Sequence, residues 1–187
     1  SHDSICAELA EGAQVALISV DYCLVPEHPH PAAYDDAVAV VDAVPGPKVL
    51  LGDSAGAHLA AAVCATRCGN AGSGIAGQVL IYGGFGHHGI LPSIARHANA
   101  PMLTRADVEF YSALRFADGL PHNDVSAAPL DADDFSALPP TVLFSAECDP
   151  LASHSVEYAA RLAEAGVEVT FTEEPGLVHG YLRARYM

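Results

Sequence analysis

Val49-Leu50-Leu51-Gly52-Asp53-Ser54-Ala55-Gly56 is the stretch on which the reading of this chain turns. An apolar run ends in a Gly-x-Ser-x-Gly turn, and the alanine-rich stretch from Ala57 to Thr66 follows at once. Strand, tight turn and helix in that order form a nucleophile elbow, in which the serine sits on a strained turn and the flanking glycines let backbone pack where a Cβ would clash. Such a turn lifts the Ser54 hydroxyl clear of the sheet. The helix behind it aims first-turn N–H groups, that of Ala55 first, at any oxyanion that forms beside the serine. At ordinary glycine and serine usage the five-residue pattern arises by chance in about one chain of this length in twenty, so the residues downstream must decide its meaning. An ordinary Gly/Ser connection needs neither an acid nor a base later in the chain.

In proteins built on this elbow the order is serine, acid, histidine, each at the carboxyl end of a parallel strand. Thr141-Val142-Leu143-Phe144-Ser145-Ala146 reads as a strand, and Glu147-Cys148-Asp149-Pro150 follows it, which makes Asp149 the best-placed acid. Val167 to Thr172 alternates as a half-exposed edge strand does, and leads through Pro175 and Gly176 to His179. The division of labour would be that Ser54 attacks an acyl carbonyl, His179 carries its proton and Asp149 fixes the imidazole tautomer. Asp149 also suits a turn or cap before the helix expected over Ser153 to Ala165. His179, one of 10 histidines, also suits a solvated loop. The conjunction of three residues in order is what favours chemistry.

Elsewhere apolar segments near Val15–Val20, Lys48–Leu51 and Gly77–Tyr82 alternate with helical stretches at Asp3–Glu11, Ala32–Ala43, Ala55–Cys68 and Thr104–Phe116. That alternation predicts an α/β fold with a mostly parallel sheet flanked by helices, and the length suits a single domain over residues 1–187. Gly83 to Met102, with glycines early and Pro92 and Pro101 later, reads as a long loop, for any one residue a solvated connection in preference to the alternative of a pocket lining in which Phe85, His87 and His88 would touch substrate. Adjacent histidines without a third ligand are a poor metal site, so no metal and no cofactor is expected.

These blocks resemble the hormone-sensitive-lipase-like family of α/β-hydrolase carboxylesterases, also called the bacterial acetyl-esterase or lipase group. The resemblance rests on Asp21-Tyr22, Pro26-Glu27-His28-Pro29, Gly52 to Ala60, Glu147-Cys148-Asp149-Pro150-Leu151 and His179-Gly180-Tyr181, spread over nearly the whole chain. It implies that Ser54, Asp149 and His179 are the catalytic triad, that the Ala55 amide is one oxyanion donor, and that the substrates are small esters with short acyl chains. Cys23 and Val25 stand where the family usually has arginine and alanine. The family's upstream His-Gly-Gly-Gly loop has no counterpart before Gly52, so the resemblance implies an N-terminally shortened member, lacking the N-terminal strands and cap and holding roughly the C-terminal two thirds of the domain. The resemblance places a missing strand between Val15–Val20 and Lys48–Leu51, and the chain alone is expected either to fold poorly or to leave a gap in its sheet. Losing one oxyanion donor lowers such rates by roughly 10² to 10³. The alternatives are a small-ligand-binding protein on the same scaffold, and an amidase or thioesterase using the same three residues.

Composition narrows the partners. A formal net charge of −15 argues against nucleic acid and anionic membranes, and no apolar run is long enough for a membrane span. Five cysteines without a C-x-x-C pair suggest reduced thiols and a cytoplasmic location. The oligomeric state stays open, a homodimer included.

Overall fold

A computed structural model describes residues 2–69, 72–86, 91–117 and 119–184. In chain order the elements are α1 (Asp3–Ala13), α2 (Ala32–Ala43), β1 (Lys48–Asp53), α3 (Ala55–Arg67), β2 (Ile75–Ile81), α4 (Pro92–Arg96) and α5 (Arg105–Arg115). They continue with β3 (Thr141–Cys148), α6 (Ala152–Glu164) and β4 (Val169–Val178), with single 3₁₀ turns at Pro129–Asp131 and Tyr181–Arg183. The four strands form one wholly parallel sheet in the order β1-β2-β3-β4. Parallel neighbours need crossovers, and α3 and α6 serve as two of them.

Helix α3 packs on β1 and β2, and α6 packs on β3 and β4. Between helices and sheet lies the main core, where Ala57, Ala61 and Cys64 of α3 meet Leu80, Leu143, Tyr158 and Leu162. Alanines on the inner stripe of α3 let that helix approach the strands closely. Tyr158 supplies the bulk, its ring tilted at 32° to Phe85 with centroids 4.7 Å apart and meeting Phe135 edge-on at 5.2 Å. Helix α2 packs beside α3 through Val38, Val41 and Val63, with Leu50 of β1 and Ile75 of β2 against the same cluster. Among the described residues no helix is long and apolar enough to cross a membrane.

Three expectations change. Val15–Val20 is not a strand: it runs as irregular chain, with Val15 57% and Ile18 59% exposed. An apolar run becomes a strand only where a neighbouring ladder takes its backbone groups, and β1, the sheet's edge on that side, pairs with β2 alone. The segment from Gly83 to Met102 is not all loop, because Pro92 opens the short helix α4 at a position where its missing N–H is no loss. Phe85 does not face a substrate pocket: it is fully buried in the main core against Tyr158, and its N–H donates to Nδ1 of the buried His154 at 3.1 Å. His87 and His88 lie outside the described residues.

Candidate active site

Ser54 sits between the last residue of β1 and the first of α3 with φ 53° and ψ −116°. That left-handed conformation is strained for a residue with a side chain and holds only when its surroundings leave no alternative. Two constraints supply this. The Ser54 N–H donates to the Ile81 carbonyl of β2 at 2.9 Å, and the Ser54 carbonyl accepts from His58 N–H at 3.1 Å as the first bond of α3. Gly52 makes the sharp reversal possible, since a Cβ there would stand 2.2 Å from the carbonyl carbon and oxygen of Gly56. Ala55 is then the first residue of α3, where backbone N–H groups have no partner within the helix.

Asp149 follows β3 directly and is fully buried. It serves as the turn residue expected there, its Oδ1 accepting from Leu151 N–H at 2.8 Å before α6, while its Oδ2 is turned to His179. The loop is pinned from outside by Ser93, whose hydroxyl donates to the Pro150 carbonyl at 2.6 Å. His179 follows β4 and is buried, so it is not a solvated loop histidine. Its Nδ1–H donates to Asp149 Oδ2 at 2.7 Å, and its Nε2 accepts from the Ser54 hydroxyl at 2.8 Å. A carboxylate can only accept, so the Nδ1 proton is fixed and Nε2 keeps its lone pair for the hydroxyl. The three sequence-predicted residues, drawn from positions 54, 149 and 179, meet in one hydrogen-bonded line.

Pro175 and Gly176, expected in a loop, are instead part of β4. Pairing between β3 and β4 shifts register between Ala146 and Cys148, so β4 carries a bulge there before it delivers His179. Edge strands and bulges are the places in a sheet that accept proline.

Tyr82 was not singled out by sequence, yet it borders the site from below. Its ring lies 4.9 Å from the His179 ring at 59°, and Tyr181 meets it edge-on at 5.1 Å. Its hydroxyl donates to Asp53 Oδ2 at 3.2 Å, while His2 Nε2 approaches the other oxygen of Asp53 at 3.1 Å. Burial first, and the Asp53 carboxylate second, push the Tyr82 phenol well above its ordinary pKa, so it stays a neutral donor. The signal that located Asp149 applied here too, because Tyr82 directly follows a parallel strand. A cleft of about 340 Å³ opens between residues 95–101 and Cys148; none of Ser54, Asp149 or His179 lines it.

A family profile described as alpha/beta hydrolase fold matches residues 1–183. Carboxylesterase NlhH of Mycobacterium tuberculosis is 36% identical over 197 residues, covering 97% of this chain and 61% of that protein. Ethyl acetate hydrolase of Pseudomonas putida is 30% identical, covering 98% of this chain and 61% of that protein. Among solved structures, an esterase of Pyrobaculum calidifontis superposes with a TM-score of 0.88 at 31% identity, over 96% of this chain and 63% of that one. The chain thus spans about 61% of the length of the curated relatives it matches.

Proposed function

The chain belongs to the alpha/beta hydrolase fold family, and from that premise we propose that residues 1–187 are one catalytic domain segment of a serine carboxylesterase working through an acyl-serine intermediate. The observation that carries this reading is the unbroken line from the Ser54 hydroxyl through His179 to Asp149, at 2.8 and 2.7 Å. Ser54 Oγ forms the new bond to the acyl carbon as its proton passes to His179 Nε2. The tetrahedral oxyanion lies at the start of α3, where the Ala55 N–H donates to it. Collapse breaks the ester bond, and the imidazolium returns the proton to the departing alcohol. Water then repeats the sequence and frees the acid. Asp149, held by Leu151 N–H on one oxygen, stabilises the imidazolium with the other without itself taking the proton.

Small esters with short acyl chains are the proposed substrates, supported by the family resemblance of the motif blocks and by a relative whose name is ethyl acetate hydrolase. The test is release of nitrophenol from its acetate and butyrate esters by the full-length protein. Ser54→Ala is expected to lower kcat by about 10⁴-fold or more, given how removal of a nucleophile acts in such triads. Equal rates for the two proteins would overturn the assignment.

A further inference from the structure

Strands β3 and β4 deliver the acid and the base, so their spacing at the carboxyl end sets whether His179 reaches Asp149. Pairing is regular as far as Ala146 with Glu174 and resumes at Cys148 with Val178. Between those points one residue of β3, Glu147, stands opposite three of β4: Pro175, Gly176 and Leu177. A bulge of this kind leaves backbone groups outside the ladder, and each needs another partner. Pro175 has no N–H. Gly176 takes φ +70°, a conformation a side chain would resist, and its N–H turns to the Glu147 side chain, donating to Oε2 at 2.7 Å. The carboxylate of β3 therefore replaces the rung that the bulge removes, and a charged acceptor makes that bond stronger than a neutral one.

Both partners are exposed, so the bond contributes little to the stability of the whole. Its placement is what matters: Glu147 lies two residues before Asp149, and Gly176 three before His179. We infer that Glu147 is a positioning residue for His179, clasping the β4 bulge so that the imidazole stands in line between Asp149 and Ser54. The inference rests on the hydrolase reading above and deepens it. A loosened bulge would let the ring shift, and misplacement by about 1 Å can lower a rate by as much as 10²-fold.

The experiment compares Glu147→Ala, Glu147→Asp and Glu147→Gln in the full-length protein. Alanine removes the acceptor, aspartate is one methylene too short, and glutamine keeps a carbonyl oxygen at the same reach. The first two are expected to lower kcat on nitrophenyl acetate about 10-fold with KM unchanged, and glutamine to restore it to within about 3-fold. In parallel, the low-field proton resonance of His179 Nδ1–H, assigned by its loss in His179→Ala, should broaden or move upfield in the first two variants and not in the third. Unchanged kcat and resonance in both Ala and Asp variants would overturn the inference, as would equal loss in Gln and Ala, which would make charge the operative property. If Glu147→Ala does not fold, the Asp and Gln pair decides alone. Absence of Ser54-dependent turnover in the unaltered protein would sink the hydrolase reading instead, and the resonance would still report on the clasp.

Discussion

On the face of the sheet that α3 and α6 cover, Leu80 and Leu143 have no exposed surface, whereas on the opposite face Val49 keeps 59% of its surface exposed and Leu51 45%. The register assigns these residues to the two faces, and the contrast holds at β1 but not at the edge strand β4, where Phe171 is 38% exposed. Gly52, Leu80, Leu143 and Phe171 form one cross-strand row, and Leu51, Val79, Val142 and Thr170 form the next, so alternation turns the two rows to opposite sides. Parallel strands are usually apolar on both faces because both are covered. Here the strands have that composition, yet on the second face Val49 and Leu51 of β1 are exposed and Val79 of β2 is half-buried, and of β2 only Gly77 and Ile81 are buried there. The candidate site draws on the closed side. The helix behind Ser54 and the helix behind Asp149 both cover it, so the packing of α3 on β1 and β2 and of α6 on β3 and β4 fixes where the turns at the strand ends stand.

Substitutions on the two faces sharpen that contrast. Leu143→Ala on the covered face is expected to have the largest effect, destabilising the fold by about 2–5 kcal/mol, read from the midpoint of denaturant unfolding. Gly52→Ala belongs to the same row but acts by overpacking, since its Cβ would stand 2.2 Å from the Gly56 backbone. A loss near the top of the roughly 1–3 kcal/mol range is expected, together with loss of nitrophenyl acetate turnover as Ser54 leaves its strained φ. Val49→Thr on the open face should stay within about 0.5 kcal/mol. If it proved as costly as Leu143→Ala, the two faces would be equivalent and the comparison would break.

The candidate site was legible to the extent that its chemistry is local. Ser54 and Asp149 closely follow the apolar runs that end at Leu51 and Ala146, and His179 follows the alternating run Val167–Thr172 through Pro175 and Gly176, turn residues with definite backbone demands. Tyr82 shared the signal but lacked an obvious chemical role, and its value comes only from lying 4.9 Å from His179 while donating to Asp53. Glu147 was hidden for a different reason: nothing in its neighbours announces a bulge on a strand some thirty residues away, and the pairing of β3 with β4 creates the unpaired N–H it accepts. Phe85 was misread because a glycine-rich segment looks solvated, although one aromatic ring within it fills the core beside Tyr158.

By itself the sequence determined the elbow at Ser54, the placing of Asp149 and His179 after later strands, and the alternation of strands and helices, because glycine φ preferences, proline restrictions and apolar periodicity act over a few residues. Only the tertiary structure decided that Val15–Val20 stays outside the sheet, that β4 runs through Pro175 and Gly176 to Val178, and which face of the strands is closed. Those outcomes depend on whether a partner distant in sequence arrives to accept a backbone hydrogen bond or cover an apolar side chain, and no local pattern encodes that arrival.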